Sequence, residues 1–301
     1  MSGMEILNKF ESIDEDVALG MGFFDGVHIG HRKLICDLVS TSKVNELKTV
    51  LLTFKNSPAE LFYSDVKYIT LNSEREKLIE SFGIDYMVEL DFNDNLKKIS
   101  AEDYLRKVCN FYKPKYIYSG FNHTFGFNKI GNSSFLSQKS KIYGYEFVEI
   151  PPIKFEEKTV SSTYIRELLK SGNVKTANKL LIEPFSISGK VIKGNQLGRT
   201  IGFPTANIDY PEKKAEIPYG VYCAEVKYMD NHYRGMLNYG VKPTVKNGKN
   251  NPVAEVYIID FDKDIYGETI KISVLDKIRN EKKFESLEDL KNQIEKDLMK
   301  C

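Results

Sequence analysis

Three glycines surround two histidines in the segment that follows the first strongly apolar run of the chain. The segment spans residues 22–31 and reads GFFDGVHIGH, with His28 and His31 three positions apart. Glycine lets backbone approach a phosphate closely, and a helix N-terminus offers free amides and a positive dipole end. Imidazole N–H groups suit a phosphate that gains charge during its transfer. From this pattern alone, a phosphate site, a structural turn and a metal pair lacking a nearby third ligand all stay open.

Two further segments carry side chains suited to anions or nucleotides. Residues 161–166 read SSTYIR, where Ser162 and Thr163 can cap a helix and Arg166 follows one turn later as a fork of donors. The alternative is an ordinary helix cap followed by a surface arginine. Residues 120–126 read GFNHTFG and follow a predicted strand, and open α/β sheets bind ligands at the carboxyl ends of their strands.

A second constellation lies beyond the middle of the chain, where residues 193–207 read KGNQLGRTIGFPTAN without a P-loop pattern. On extended chain, residues two apart point the same way, so Thr205 and Asn207 can share one Mg²⁺. Mg²⁺ is a hard ion that takes few protein oxygens. The alternative is a glycine-rich turn into a strand with both side chains facing solvent. The residues placed to surround a phosphate are Lys193, Gly194, Gly198, Arg199 and Gly202.

The elements that must position these residues change character along the chain. Up to about residue 180, short apolar runs alternate with helical periodicity, which predicts an α/β domain with a parallel sheet covered on both faces. The predicted strands are Val17–Met21, Thr49–Phe54, Tyr86–Leu90, Tyr116–Ser119 and Phe147–Ile150. The predicted helices are His31–Ser42, Asn72–Phe82 with Asn72 or Ser73 as its cap, Ala101–Phe111 and Ser162–Ser171.

Beyond Leu181 the pattern is mostly strands with short turns, which predicts a small antiparallel β-barrel. Pro184 lies in the segment Ile182–Phe185, so we place a boundary there and predict domains 1–182 and 183–301. A final amphipathic helix follows from Leu287 to Leu298, with Ser286 as its cap. The predicted barrel strands are Phe185–Lys193, Gly220–Met229, His232–Tyr239, Val253–Ile259 and Thr269–Leu275, with a tight hairpin at Met229–Asn231.

Bulk properties restrict the class of protein. The 301 residues carry a net charge of +1, with 42% hydrophobic and 28% charged residues, which is ordinary for two soluble domains. Such a charge recruits neither nucleic acid nor an anionic membrane. With no signal peptide and no long apolar run, we expect a reducing cytoplasm. Four separated cysteines without a CxxC pair predict neither a zinc site nor a disulfide framework: Cys36, Cys109, Cys223 and Cys301.

The segment at 22–31 resembles the HxGH signature of nucleotidyltransferases, and more narrowly the N-terminal module of prokaryotic bifunctional riboflavin kinase/FMN adenylyltransferases. Residues 161–166 are similar to that family's SST-x-x-R motif, and residues 120–126 to its G-x-N/D-x-x-FG loop. The resemblance implies a Rossmann-like domain in which His28 and His31 hold the ATP triphosphate and stabilise attack at its α-phosphate. The other residues it implicates are Gly22, Phe23, Asp25, Gly30, Asn122, Ser162, Thr163 and Arg166 at the nucleotide, and Phe125 at the flavin.

A third segment of this half, TFKNSP at residues 53–58, is similar to the family's TF-x-x-HP. The resemblance implies that Pro58 and Phe62 line the flavin. Ser57 stands where histidine is usual in the family. We therefore expect this position to affect flavin affinity or turnover in the N-terminal half.

GRTIGFPTAN at residues 198–207 resembles the riboflavin kinase signature. The resemblance implies a Mg²⁺ held by Thr205 and Asn207, and a catalytic base at Glu255, in a strand before a DF-x-x-x-x-YG segment. The alternative for Glu255 is an outward residue on an alternating strand. Residues 238–244 also match the family, and residues 277–284 resemble its flavin-closing segment, which implicates Arg279 and Glu281.

Together the two signatures imply two ATP-dependent steps: riboflavin to FMN with release of ADP, then FMN to FAD with release of pyrophosphate. ATP is a co-substrate, Mg²⁺ is required, and no permanently bound cofactor is expected. We expect no nucleic-acid or membrane partner, and a monomer or weak homo-oligomer. Three rivals are a nucleotidyltransferase for another acceptor, a non-catalytic flavin sensor, and a tRNA-synthetase-like domain. The PTAN segment argues against another acceptor, and the retained site residues argue against a sensor. The chain's length and charge argue against a tRNA-synthetase-like domain.

Overall fold

A computed structural model describes residues 3–194, 197–241 and 252–301, without the side chain of Leu197. The chain divides into two compact units, Met1–Ser162 and Thr163–Cys301. The domain boundary at 182/183 stays a prediction. No helix in the described part of the chain has both the length and the apolar character that crossing a bilayer requires.

The first unit is built on a six-stranded parallel sheet in the order β1-β4-β3-β2-β5-β6. Five strands match the predicted ones within one or two residues, and β1 is an additional edge strand. Its residues pair with β4 from Glu5 to Leu7. The strands are β1 Glu5–Leu7, β2 Val17–Met21, β3 Lys48–Phe54, β4 Tyr86–Leu90, β5 Pro114–Gly120 and β6 Glu146–Ile150, followed by a small hairpin of β7 Lys154–Phe155 and β8 Lys158–Thr159.

Helices cover both faces of this sheet, as the alternation predicts. Leu19 belongs to a buried cluster with Leu105 and Val108 on one face. Gly20 lies on the other face, where an added Cβ would be 3.0 Å from Leu34. The helices are α1 Ile29–Val44, α2 Asn72–Glu80, α3 Asp94–Lys98, α4 Ala101–Tyr112 and α5 Ser133–Tyr143, of which α3 and α5 were not predicted.

The start of α1 and the cap of α2 differ from the prediction. Helix α1 begins at Ile29 because His28 is its N-cap and accepts a hydrogen bond from the amide of His31. Neither Asn72 nor Ser73 caps α2, so that prediction is wrong. The N-cap position is Leu71, whose backbone N–H donates to the Glu74 carboxylate at 2.8 Å. The Glu74 carboxylate in the first turn therefore satisfies the backbone amide of the N-cap residue.

The second unit is a closed antiparallel barrel in the order β10-β13-β12-β11-β14-β9, preceded by helices α6 and α7. Asn178 of α7 joins the helices to the barrel by donating to the Val274 carbonyl and accepting from the Phe185 amide. The helices are α6 Ser162–Lys170, α7 Val174–Leu180, α8 Leu197–Thr200 and α9 Leu287–Leu298. The strands are β9 Ser186–Ile192, β10 Thr205–Asp209, β11 Gly220–Tyr228, β12 Asn231–Val241, β13 Pro252–Ile258 and β14 Thr269–Asn280.

Most of the predicted barrel elements are confirmed. Tyr228 pairs with Asn231, so Met229 and Asp230 form a two-residue hairpin turn. Helix α9 has the predicted bounds, and the Ser286 hydroxyl caps it by accepting from the Asp289 amide at 3.1 Å. Strand β14 runs five residues past the predicted end at Leu275. Helix α7 was not predicted.

The expectation of unpaired cysteines is wrong for one pair. Cys223 of β11 and Cys301 are disulfide-bonded across a sequence separation of 78 residues, with their Cα atoms 5.1 Å apart. Cys36 and Cys109 are free thiols. Spacing along the chain could not reveal the pair, because the barrel and α9 bring the two residues together.

Candidate functional site

Three loops of the first unit that carry predicted site residues follow neighbouring strands. Strand β2 lies between β3 and β5, with Met21 paired to both Leu52 and Ser119. Because all three strands are parallel, the loops at 22–31, 55–58 and 120–126 leave the same edge of the sheet. This is the edge at which open α/β sheets bind ligands. The sheet therefore brings together the segments that sequence reasoning placed at the nucleotide and the flavin.

His28 and His31 stack on each other, with ring centroids 3.6 Å apart and planes 16° from parallel. The amide of His31 donates to Nδ1 of His28 at 3.3 Å. Burial lowers the pKa of His28 to about 4. Burial, the neighbouring His28 and the charge of Arg75 hold the pKa of His31 well below its usual value.

Both imidazoles are therefore neutral at pH 7 in the free chain. Since Nδ1 of His28 accepts a hydrogen bond, its proton lies on Nε2, which is left to donate to a ligand. Nδ1 of His31 is buried and has no hydrogen-bond partner among the described residues. A buried polar atom without a partner is costly in a folded protein, and an anionic ligand that accepts a hydrogen bond would satisfy it.

Gly30 and Gly22 keep room for aromatic rings in this loop. An added Cβ at Gly30 would lie 3.0 Å from Cε1 of His28, and one at Gly22 would lie 2.9 Å from the ring of Phe24. A side chain at either position would displace the ring that packs there. The need for glycine here is steric, in addition to any approach of backbone to phosphate.

Asp25 fixes the loop in place. Its side chain is buried, and Oδ1 accepts from the amides of Ile69 and Thr70 at 2.9 and 3.0 Å. The Ser162 hydroxyl donates to the carbonyl of Asp25 at 2.8 Å. Asp25 therefore shapes the pocket through backbone contacts, and the Ser162 hydroxyl contacts the same loop, while its predicted contact with a phosphate stays a prediction. Thr163 and Arg166 lie on α6 in the second compact unit, and their part in nucleotide binding stays a prediction.

Arg75 is a residue of this site that sequence reasoning missed. Its guanidinium donates to the carbonyls of Phe23 and Phe54 at 3.2 and 2.8 Å, and to the Glu89 carboxylate at 2.7 Å. It also lies 5.2 Å from the centroid of the Phe23 ring. One buried cation thus joins the loops that follow β2 and β3. A lone arginine among the charged residues of NSEREKLIE gave no signal that it would be buried.

The residues predicted near the flavin differ in exposure. Phe62 is 64% exposed, and the ammonium of Lys97 lies 4.3 Å from its ring centroid. Phe125 is only 6% exposed and packs on Tyr104, so any flavin contact must come from the edge of the core. Asn122 is exposed in the loop after β5. These flavin and nucleotide contacts stay predictions.

Ser57 and Pro58 begin a 3₁₀ turn in the same region. The Ser57 hydroxyl accepts from the Ala59 amide at 3.2 Å, and the backbone amide of Ser57 donates to the Tyr68 hydroxyl at 2.9 Å. Tyr68 in turn donates to the Glu60 carboxylate. At the position where the family usually has histidine, this chain therefore has a small side chain that caps the turn.

In the barrel, Asn207 of β10 lies directly opposite Glu255 of β13, and Glu255 lies directly opposite Asn238 of β12. Thr205 is paired in the same way with Tyr257. The intervening residues, such as Ala206 and Ala254, are buried inside the barrel. Because strand side chains alternate, the predicted metal pair and the predicted base share the outer face. The Glu255 side chain therefore lies on the outside of the barrel, as the alternative interpretation expected. This part of the outer face lines a cavity.

Two cavities meet at Thr205. The larger is about 540 Å³ and lies between the outer face of the barrel and α9, with Glu255, Asn238 and Arg279 beside apolar residues of α9. The smaller is about 320 Å³ and is lined by Arg199 and Tyr266. Thr205 lines both cavities.

Close contacts explain two glycines of the loop at 193–202. A Cβ at Gly194 would lie 2.5 Å from Nδ2 of the Asn207 side chain, and one at Gly198 would lie 2.2 Å from the backbone carbonyl oxygen of Phe203. Gly202 has φ +88°, a left-handed conformation that favours glycine. The loop contains the short helix α8, and Asn195 and Gln196 lie outside the described residues.

The remaining predicted residues of this half lie around the cavities. The ammonium of Lys193 is 5.9 Å from the ring centroid of Tyr266. Arg279 and Glu281 line the larger cavity, and a Cβ at Gly240 would lie 2.0 Å from Oε1 of Glu281. Asn238 is an additional polar residue of this cavity. The segment at 238–244 is described only as far as Val241.

No group of three or more His, Cys, Asp or Glu side chains in the described ranges is placed to hold a metal ion. The predicted Mg²⁺ ligands are of other types, the hydroxyl oxygen of Thr205 and the amide oxygen of Asn207.

Comparisons with known proteins give the family. The FAD synthetase family model matches residues 10–164, and the riboflavin kinase family model matches residues 181–301. A "Bifunctional riboflavin kinase/FMN adenylyltransferase" of Buchnera aphidicola is 35% identical and covers 97% of this chain and 95% of its own. The protein of the same description from Escherichia coli K12 is 33% identical, with 97% and 94% covered.

A solved structure shares the fold. A crystal structure described as a macrolide-efflux protein from Streptococcus pneumoniae has a TM-score of 0.90 and 32% identity, with 98% of each chain covered. The two family models match successive parts of the chain. The chain belongs to the bifunctional riboflavin kinase/FMN adenylyltransferase family, with the FAD synthetase half first and the kinase half second.

Proposed function

We propose that the barrel phosphorylates riboflavin with the ATP γ-phosphate, and that the first unit then transfers AMP from a second ATP to FMN. The observation that carries the kinase proposal is the position of Thr205 between the two cavities. The larger cavity combines apolar walls with Glu255, which suits a flavin ring and its hydroxylated tail. The smaller cavity has Arg199 on its wall, and the ATP phosphates would lie there.

Glu255 is the proposed general base. It lines the larger cavity and lies beside Asn207, so a ribityl hydroxyl bound there would be within reach of its carboxylate. The carboxylate accepts the hydroxyl proton as the oxygen attacks the γ-phosphate, and ADP leaves. Lys193, Arg199 and the loop bearing Gly194, Gly198 and Gly202 hold the phosphates. This division of roles follows phosphoryl transfer by positioning and charge neutralisation.

Thr205 and Asn207 are the proposed ligands of Mg²⁺. Their hydroxyl and amide oxygens are hard donors on one face of β10, and the Asn207 side chain is buried against Gly194. This donor set fits Mg²⁺, which keeps several waters and binds few protein groups. When bound, the ion supplies positive charge to the phosphate oxygens.

In the first unit, His28 and His31 are the proposed donors to the phosphates of ATP. Their neutral rings lie at the start of α1, where the helix dipole also favours an anion. Asn122, Ser162, Thr163 and Arg166 complete the proposed nucleotide site, with Gly22, Phe23, Asp25 and Gly30 shaping it. In this proposal the FMN phosphate attacks the α-phosphate directly, without a covalent enzyme intermediate, and pyrophosphate leaves. Pro58, Phe62 and Phe125 are the proposed flavin contacts.

Other features complete the proposal. The two activities reside in domains 1–182 and 183–301, and the protein works in the cytoplasm as a monomer or weak homo-oligomer. It needs no permanently bound cofactor and has no nucleic-acid or membrane partner. Arg279 and Glu281 close the riboflavin pocket from the segment after β14.

The test is to incubate the purified full chain with riboflavin and Mg-ATP and to separate the flavins by chromatography. We expect FMN to form first and FAD to follow. Absence of FMN would contradict the kinase proposal. FMN without FAD, also after FMN is supplied directly, would contradict the proposal for the first unit.

Two variants of the same chain assign the steps. His31→Ala should abolish FAD formation and leave FMN formation intact. Glu255→Ala should abolish FMN formation and still convert added FMN to FAD. The activity that each variant retains shows that its unsubstituted half is folded and that the loss is confined to one step.

A further inference from the structure

Helix α9 forms a wall of the larger cavity, where Leu290 and Ile294 face the barrel together with Phe284. The helix is poorly buried: of its twelve residues, all within the described part of the chain, only Asp297 is buried. Leu287 at its start is 51% exposed. Apolar packing alone therefore gives this wall little stability, and its position depends on specific ties to the barrel.

One tie is an ion pair. Asp297 is 0% exposed, and its carboxylate accepts from Nε of Arg279 at 2.6 Å and from Nε2 of Gln293 at 2.9 Å. Arg279 lies on β14 and also lines the larger cavity. Its guanidinium lies 5.6 Å from the ring centroid of Phe284. Asp297 is thus a positioning residue that holds both the helix and a cavity arginine.

The second tie is the disulfide between Cys223 and Cys301, one turn beyond Asp297 in sequence. Cys223 lies on the outer face of β11, two residues from Val221, and is paired across the strands with Met236. Val221 and Met236 both line the larger cavity. The bond therefore joins the chain just beyond α9 to the strands that form the floor of that cavity.

Both cysteines are partly exposed, so a small thiol can reach them. A thiolate of a dithiol attacks one sulfur, the Cys223–Cys301 bond breaks, and the second thiolate resolves the mixed disulfide. Cys223 and Cys301 each gain a proton and become thiols, while the dithiol becomes a disulfide. Glutathione disulfide reverses the change and is reduced to two glutathione molecules.

We propose that Cys223 and Cys301 form a thiol–disulfide site that controls riboflavin affinity in the kinase half. This inference rests on the proposed function, in which the larger cavity binds riboflavin. In the oxidised chain both ties hold α9 against the barrel. In the reduced chain the Asp297–Arg279 pair holds it alone, and the fraction of molecules with a complete cavity wall falls. The apparent dissociation constant rises as that fraction falls.

The test uses the full chain in two states, oxidised with glutathione disulfide and reduced with dithiothreitol. Alkylation under denaturing conditions followed by mass measurement counts the free thiols, two of the four cysteines in the first state and all four in the second. Riboflavin binding is measured by fluorescence without ATP. We expect reduction to raise the dissociation constant about three- to tenfold. FMN formation at saturating riboflavin, and FAD formation from added FMN, should stay unchanged.

Variants separate the site from a general effect of thiols. Cys223→Ser and Cys301→Ser should each bind riboflavin like the reduced chain and no longer respond to dithiothreitol. Cys36→Ser and Cys109→Ser remove the free cysteines and should keep the full response. Asp297→Asn weakens the other tie, so reduction should weaken binding by a larger factor than in the wild type. FMN formation at saturating riboflavin shows that the barrel of each variant is folded.

Two results would overturn the inference: four reactive thiols after oxidation, or equal riboflavin affinity in the two verified states. If neither state binds riboflavin, the proposed function itself fails. Binding that is equal in both states leaves the proposed function standing and removes only the redox site.

Discussion

Arg75 and Glu89 form an ion pair of 2.7 Å in which the two side chains are only 1% and 3% exposed. The same guanidinium donates to the carbonyls of Phe23 and Phe54, at the ends of two neighbouring loops of the adenylyltransferase half. The pair therefore connects the stability of the first unit with the geometry of its site.

Replacing Arg75 by methionine should lower the free energy of unfolding by about 3–5 kcal/mol, because Glu89 is left as a buried charge without its partner. FAD formation from FMN should fall, since both loop carbonyls lose their donor. FMN formation by the barrel should persist. Urea unfolding and the two flavin assays measure these effects.

The control for this prediction is the double variant Arg75→Met/Glu89→Leu. Without a lone buried charge it should recover part of the stability, while FAD formation stays low. Full recovery of FAD formation in the double variant would show that Arg75 matters for stability alone.

A side chain at position 194 should impair the kinase activity. A Cβ there would lie 2.5 Å from the buried Asn207 amide, so Gly194→Ala should displace a proposed Mg²⁺ ligand. Because metal neutralisation of phosphate is worth several kcal/mol, losing about 3 kcal/mol of it would slow FMN formation roughly 100-fold. A titration of the initial rate with Mg²⁺ should also show a higher requirement.

The matched control is Gly189→Ala on β9, where the added Cβ would meet its nearest atom at 3.4 Å, an ordinary contact. This variant should keep normal FMN formation and the normal Mg²⁺ requirement. Wild-type kinetics in Gly194→Ala would show that Asn207 does not need its observed position.

Acid should destabilise the first unit. Burial lowers the pKa of His28 and of His123 from 6.5 to about 4. Between pH 6.5 and about pH 4 the unfolded chain therefore binds more protons than the folded chain. The free energy of unfolding falls as the pH falls through this range. Each histidine should remove about 2 kcal/mol of unfolding free energy between pH 7 and pH 5.

His123→Phe tests this effect without changing a proposed phosphate ligand. Nε2 of His123 is buried and has no hydrogen-bond partner among the described residues, so an apolar ring should be tolerated there. Urea unfolding at the two pH values should show a smaller loss than in the wild type. Equal losses in wild type and His123→Phe would contradict the prediction.

Ser57→His should restore the residue that is usual in the family and improve FAD formation through a lower KM for FMN. The change removes the hydroxyl that accepts from the Ala59 amide, so it should also cost about 1 kcal/mol of stability. Ser57→Ala separates the two effects, since it loses the cap without adding an imidazole. If Ser57→His and Ser57→Ala have the same KM, the histidine contributes nothing at this position.

Local patterns predicted most of the elements. Alternation of apolar runs and helical periodicity gave five strands of the first sheet, and the cap at Ser286 gave α9 with its bounds. Short elements were missed, such as α3 and β1. Their few residues carry too little periodicity, and β1 is a strand because it pairs with β4 across the sheet.

The sequence by itself determined the family, the two glycine-rich loops and the residue types of both candidate sites, because these are encoded by motifs of contiguous residues. Only the tertiary structure decided that Asn207 faces Glu255, that Arg75 is buried beside Glu89, and that Thr205 lies between two cavities. It also decided that Cys223 meets Cys301. These relationships join residues from separate strands and helices, and they arise from sheet pairing and barrel closure, which no local pattern encodes.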